Sequence, residues 1–421
     1  MDRISEIFLE TLKCALKNEE YSGKAQITEP ELKAVLELAG NQKLFAMILN
    51  HLHDAPAASQ LHPALYMNYR QEMFQEVTGQ VIRTEKFLRL YKELAAAGIH
   101  AIVVKGIVCR DLYSQPDERS SGDEDVFIPD EEFESCHSLL LKNGLQLEGS
   151  PEHVLEEHEI PYIDPITNLR IELHKQLFPP ASEAYGEFNT FFLKAHEKAA
   201  HIQLRHSDDS SQEISVLTLD ATDNLLYMIL HALKHFFHGG FGIRQVCDMA
   251  LWANAYSSNV HWNDLLRECR EVRADVFAGA LLKIGEKYLT LDPEKAQLTP
   301  EWRSIMADID EQDLLEDLLD SGIYGGSTMS RKHSSNITLD AVAADKHGKE
   351  THGLLATVFP SANKLEKRYV YLRKAPWLLP VAWIQRIFVF YRERSEANNA
   401  VETLKIGKNR IKILQEYGVI R

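Results

Sequence analysis

The amino-acid sequence predicts an α+β protein in which a small mixed β-sheet core sits between N-terminal helices and a mainly α-helical C-terminal region. Three observations carry this. Over residues 3–97 apolar residues recur at spacings of three and four, the period of amphipathic helices. Between 98 and 219 the period shortens to that of strands, and from 220 it lengthens again. The expected organisation is an N-terminal helical region (1–97), an α/β core (98–219), a helical domain (220–320), a flexible loop (321–351) and a basic helical tail packing on the body (352–421).

Each element has its own signal. Leu32, Val35 and Leu36, then Leu44, Met47 and Ile48, mark short amphipathic helices. Leu65, Phe74, Val77, Val81, Phe87, Leu90 and Leu94 mark one broad face of a longer helix over 62–97, which Gly98 stops. Strands are expected at 101–104, 125–128, 145–147 and 169–173, with a helix from 130 to 143 entered through Pro129 and ended at Gly144. Asp220 is a candidate N-cap for the helix that follows, with Asp223 at its third position. Residues 321–351 are rich in Gly, Ser and charge, which reads as a loop.

Composition narrows the function classes. The chain has 421 residues and a net charge of -16, a poor match to proteins that neutralise duplex nucleic acid with clustered Lys and Arg. The charge is uneven: residues 361–421 hold 13 Lys/Arg against 5 Asp/Glu, which leaves about -24 on the preceding 360. Five scattered cysteines without a C-x-x-C pair argue against zinc fingers and a disulfide framework. The N-terminus has no long apolar core, and the apolar segment 377–391 is shorter than the roughly 20 residues a spanning helix needs. A cytoplasmic protein, with membrane contact unlikely, is the resulting expectation.

The chemistry concentrates in residues 99–128. Lys105-Gly106 follows an apolar run, and Asp123 and Asp125 head the next one. Strand residues alternate faces, so these two acids point the same way and Glu124 the other. Convergent carboxylates suit a divalent cation, which binds through one or two of them plus substrate phosphates. Glu172, in the strand-like run NLRIELHKQL, shares a side with Arg170 and His174 and would supply a third acid if the two strands are neighbours. The competing reading is that Asp123 and Asp125 merely open a strand at a polar turn and that Glu172 is an exposed strand residue.

The order of an apolar strand, Lys105-Gly106, Leu112-Tyr113, Pro116, Arg119, Asp123-x-Asp125 and later Glu172-Leu173-His174 resembles the uncharacterised nucleotidyltransferase-like family of the DNA polymerase β superfamily. His231-x-x-Lys-His235, Arg244-x-x-x-Asp248, Gly322-Ile-Tyr-Gly325 and Phe359-Pro360-Ser361 are similar to family features too, extending the resemblance over nearly the whole chain. It implies a nucleotidyltransferase core in which Asp123, Asp125 and Glu172 are catalytic and hold Mg²⁺ (or Mn²⁺). Lys105 and Gly106 would then form the phosphate turn, with Arg119 and Arg110 offsetting phosphate charge. The implied activity moves a nucleoside monophosphate from a metal-bound nucleoside triphosphate to an unidentified small-molecule or protein acceptor. Ile107 stands where the superfamily usually has Gly or Ser, so a nucleotide-binding or scaffold protein with the same fold and little turnover is the alternative.

Other constellations read more plainly. His231, His235 and His238 share a helical face, open to a zinc site, to groove residues that contact substrate together with His174, or to satisfied core histidines. Arg244 and Asp248 read as an i, i+4 ion pair, and Gly239, Gly240 and Gly242 as a turn between helices. The segment WLLPVAWIQRIFVFYRER reads as a helix packed on the body, and Cys109 has no neighbouring base to make it a nucleophile.

Overall fold

The computed structural model describes residues 1–21, 27–52, 61–149, 154–205, 214–322, 329–346, 348, 365, 369–373, 375–392 and 400–421. The N-terminal region is three short helices, α1 (Arg3–Lys17), α2 (Glu29–Asn41) and α3 (Phe45–Leu52), and one long one, α4 (Pro63–Ala96). Their ends carry local stop signals. Asp2 accepts the Ser5 N–H to start α1, and Asn18 closes it in the left-handed region at φ 56°. Thr28 and Glu31 form a reciprocal capping box at α2. Gly98, at φ 76°, turns the chain after α4.

The long helix differs from its expected face in one respect. Its buried residues, from Gln80 to Leu94, all lie in the C-terminal half, and Phe74 is 70% exposed. A 34-residue helix spans about 50 Å, more than one face of a small sheet can cover, so its first half is only partly buried, packing on the core through Leu65, Tyr66, Tyr69 and Met73.

The sheet follows. β1 (Ile102–Val104), α5 (Gly106–Arg110), β2 (Glu124–Phe127), α6 (Phe133–Lys142), β3 (Gln146–Leu147), β4 (Glu159–Ile163) and β5 (Arg170–His174) appear in that order. The five strands pair as β1-β2-β5-β4-β3. All neighbours are antiparallel except β2 and β5, which run parallel because the chain crosses over through α6 and returns along β3 and β4. This is the expected small mixed sheet. The strand β4 escaped prediction because Pro161 interrupts the apolar alternation of Ile160 and Tyr162.

After the short helix α7 (Ala195–Lys198), a second two-stranded sheet of β6 (Ala200–Leu204) and β7 (Ile214–Thr218) lies against β1. It is tied there by the Thr218 hydroxyl, which donates to the Val103 carbonyl at 2.7 Å. The Tyr91 hydroxyl also bridges from the Leu217 N–H to the Ala101 carbonyl.

Helices α8 (Ala221–His238), α9 (Arg244–Ala255), α10 (Trp262–Glu271), α11 (Asp275–Tyr288), α12 (Pro300–Asp308) and α13 (Gln312–Ser321) complete the body. Asp220 caps α8 as its sequence position suggests, accepting the N–H groups of Thr222 and Asp223 at 2.9 Å each. Most of α8 is buried in the main core.

The expected loop over 321–351 is in large part a helix, α14 (Met329–Lys346). Its buried stripe is Arg331, Ser334, Thr338, Ala341 and Val342, helical in spacing but mostly polar. A hydrophobicity pattern cannot register such a stripe. Arg331 and Arg410 both pair with Asp317 and donate to the Gly239 carbonyl at the end of α8, which fixes α14 and the last helix to the body. The loop residues 323–328, 347 and 349–351, with most of the Gly322-Ile-Tyr-Gly325 and all of the Phe359-Pro360-Ser361 segments, lie outside the described residues.

The tail divides. In α16 (Ala400–Glu416, preceded by α15, Leu379–Arg392) and just beyond it, Ile413, Leu414, Tyr417, Val419 and Ile420 join the main core. By contrast Leu365, Leu372 and Ala382, with Tyr369 and Trp383, form a separate small cluster, so the described part of α15 does not share the body's core as expected. Among the described residues no helix is long and apolar enough to cross a membrane.

Candidate metal and phosphate site

The parallel pairing of β2 with β5 builds the site. Its register sets Asp125 opposite Glu172 and Phe127 opposite His174, so Asp125, Glu172 and His174 share one face of neighbouring strands. Their ligand atoms all lie within 4.8 Å of one another, and they are the one group among the described residues arranged to hold a metal ion. His174 Nε2 stands 3.2 Å from Asp125 Oδ1 and 4.0 Å from a Glu172 oxygen. Asp123 lines the same cavity but is not part of that cluster, so the expected trio of acids is replaced by two acids and a histidine. Asp123 lies before the first residue of β2, where its position is no longer held by the ladder.

The cavity measures about 290 Å³. Besides the residues above it is lined by Lys105, Gly106, Arg119, His231, His235, Arg244 and Asp248, and by Glu159, Lys234 and Gln245, which the sequence reading did not single out. Lys234 carried a usable signal: it is a lone charge in the otherwise apolar helix LLYMILHALKHFFH, and such a lysine is either at the surface or at a site. Glu159 is visible only once its register opposite His174 is known.

Lys105 is the centre of the cationic side. Its ammonium lies 3.3 Å from Asp125 Oδ2 and 2.8 Å from His231 Nε2, and sits over the Tyr227 ring. Burial first, and then the charge of Lys105, hold His231 far below the ordinary histidine range. His231 is therefore neutral and accepts the lysine's proton donor. His235, also held neutral by burial and by Lys234, stacks edge-on to His231 with its Nε2 3.2 Å away. His238, expected on the same face, instead bonds the Tyr185 hydroxyl at 2.7 Å.

The carboxylates are unlike one another. Burial, reinforced by Asp125 and Asp123, pushes Glu172 up to about 9, and burial with Asp125 raises Asp123 to about 6. Burial also acts to raise Asp125, but Lys105 and the His174 hydrogen bond outweigh it and hold Asp125 well below the usual range. In the absence of a cation Asp125 is thus the ionised acid and Glu172 holds a proton.

The turn after β1 is locked from beneath. Lys105 and Gly106 have φ of 52° and 40°, and a Cβ on Gly106 would stand 2.0 Å from Glu124 Oε2. That oxygen accepts the Ile107 N–H at 2.7 Å, while Oε1 pairs with Arg110 at 2.6 Å. The expectation that Arg110 faces phosphate is corrected here: it is 1% exposed, does not line the cavity, and serves Glu124 and Ser121. A buried glutamate on the inward face of β2 needs a partner, and Arg110, four residues into the turn, is the one in reach.

Arg119 does line the cavity, though its Nε and Nη2 are both committed to Asp248 at 2.8 and 2.5 Å. Tyr113 donates to the same carboxylate at 2.7 Å. The remaining Arg119 nitrogen, Nη1, is buried without a hydrogen-bond partner among the described residues. Asp248 hydrogen-bonds Arg119 and Tyr113, and the nearby Arg244 charge also helps hold it below the usual carboxylate range, while Arg244 donates to the Ser120 carbonyl. Cys109 is fully buried and burial raises its thiol strongly, which keeps it unreactive.

Two carboxylates with one imidazole could hold a divalent cation, and the ammonium of Lys105 beside Asp125 marks where positive charge is wanted. A family model described as uncharacterised nucleotidyltransferase matches residues 28–290, which contain the sheet and the whole cavity but stop short of the two later segments cited for resemblance. No curated protein and no solved structure matched the chain. With more than half of its length covered by that model, the chain belongs to this uncharacterised nucleotidyltransferase family.

Proposed function

We propose that the protein transfers a nucleoside monophosphate from a nucleoside triphosphate, bound with Mg²⁺ or Mn²⁺, to a small-molecule or protein acceptor: an acceptor hydroxyl attacks the α-phosphorus, the bond to the β-phosphate breaks and pyrophosphate leaves. The observation that carries this is the parallel β2 and β5 register, which sets Asp125 beside Glu172 and His174 under Lys105. A bound divalent cation would neutralise charge on the transferring phosphoryl group and lower the barrier to in-line attack. Asp125, Glu172 and His174 would hold it, with Asp123 near enough to join once nucleotide is present.

The chain's own groups do the rest. Asp125, held well below the usual carboxylate range, would offer an ionised oxygen to a cation, and Glu172, raised by burial, would have to lose its proton to bind one. Lys105, which contacts both Asp125 and neutral His231, would direct its charge to phosphate oxygens. The unused Arg119 Nη1 is a second donor of fixed position, because Asp248 and Tyr113 hold the guanidinium still.

One observation favours the alternative of a nucleotide-binding protein with little turnover: the Ile107 N–H, which the phosphate turn would offer, is occupied by Glu124. Incubation of the protein with α-labelled nucleotide and Mn²⁺ or Mg²⁺ separates the two. Transfer of label that disappears in Asp125→Asn supports catalysis. Nucleotide binding by calorimetry with no transfer supports the alternative, and absence of both rejects the site.

A further inference from the structure

We propose that residues 369–392 form a docking surface for an anionic lipid bilayer. From 367 to 392 the sequence has six basic residues, Lys367, Arg368, Arg373, Lys374, Arg386 and Arg392, and no acidic one. This lies in a chain whose first 360 residues carry about -24, so the segment's charge is opposite to that of the body. Its fold is also its own. Leu365, Leu372 and Ala382, with Tyr369, Leu379 and Trp383, make a small cluster apart from the main core.

That cluster uses one side of the segment and leaves another side apolar. Trp377 is 76%, Ile384 66%, Val381 43% and Leu378 37% exposed. Positions 377, 381 and 384 follow helical spacing, so these side chains form one stripe and are not scattered singly. An apolar stripe with an exposed indole, in a stretch of sequence rich in cations and free of acids, matches a surface that buries its apolar side chains at the headgroup boundary and draws in anionic lipid. Nucleic acid is a poorer fit, since phosphate backbones are gripped by basic and polar groups and gain nothing from Val381 or Ile384. The described helix of the segment, α15, has 14 residues, fewer than the roughly 20 a spanning helix needs.

The surface is independent of the nucleotide site, and so is its test. The full-length protein is sedimented with vesicles of phosphatidylcholine alone or with about 30 mol% phosphatidylglycerol. The expected result is binding to the anionic vesicles only, released by about 0.5 M NaCl. Trp377→Ser with Ile384→Glu, both at exposed positions, should weaken that binding roughly tenfold or more while unfolding as the parent does. No sedimentation with the anionic vesicles, or equal binding by parent and double variant, overturns the proposal. Capture of a labelled single-stranded oligonucleotide through the same two residues in place of vesicles overturns it in favour of nucleic acid.

Discussion

Gly106→Ala should cost far more than a glycine-to-alanine change at an ordinary turn. At φ 40° any Cβ strains the backbone by about 1 kcal/mol. The larger part comes from the neighbour, because the new methyl would stand 2.0 Å from Glu124 Oε2 and the carboxylate must move by more than an ångström. Moving it breaks the 2.7 Å bond from the Ile107 N–H and the 2.6 Å pair with Arg110. Arg110 is 1% exposed and cannot reach water instead, and leaving one member of a buried ion pair alone costs about 3–5 kcal/mol. The sum, about 4–6 kcal/mol, is a large fraction of a typical domain's stability. Urea unfolding followed by far-ultraviolet circular dichroism measures it. Glu124→Gln, which keeps an acceptor for Ile107 but loses the charge facing Arg110, should fall between parent and Gly106→Ala. A Gly106→Ala midpoint equivalent to less than about 1 kcal/mol of loss would refute the latch.

Three further outcomes follow from other parts of the molecule. Burial raises Glu118 to about 7, against the lowering effect of the Asn50 amide, which donates to it at 2.8 Å. A carboxyl raised in the fold keeps its full stability below its ordinary value of 4.5 and loses it as pH climbs through 7, so Glu118→Gln should match the parent at pH 4 and exceed it by about 1–2 kcal/mol at pH 8.5, read by thermal unfolding. Lys105→Met removes a charge-assisted contact worth about 1.5–3 kcal/mol, and should weaken metal-nucleotide binding roughly tenfold to a hundredfold in calorimetry. Cys14 is half-buried and the other four cysteines are buried, so a chromogenic disulfide reagent should titrate one thiol in the folded protein and the remaining four only after unfolding.

Much of the fold could be read from the chain because its signals are local. Asp220, Gly98 and the Thr28-x-x-Glu31 box mark helix ends by hydrogen bonds made within a turn. The switch of period at Ala101 marks the sheet for the same reason. What could not be read is what depends on partners distant in sequence. Glu124 was rightly placed on the opposite face from Asp125, yet only the packed structure shows that this face holds Arg110 and the Ile107 N–H. Arg110 therefore looked like a phosphate ligand when it is a buried counter-ion. His174 was placed in the groove, and its approach to Asp125 depends on a parallel register that no local pattern encodes. The helix α14 was missed because a stripe of Arg, Ser and Thr buries itself by hydrogen bonding to Asp317 and to α8 and α16, and not by apolar periodicity.

The central claim is that Asp125, Glu172 and His174 hold a divalent cation against the phosphates of a nucleotide. Crystals soaked with Mn²⁺ and a non-hydrolysable nucleoside triphosphate, measured at a wavelength where manganese scatters anomalously, test it most directly. The account predicts an anomalous peak bonded to Asp125 and Glu172, with triphosphate density reaching Lys105. Manganese and nucleotide bound elsewhere, with Lys105 still on Asp125, would contradict it.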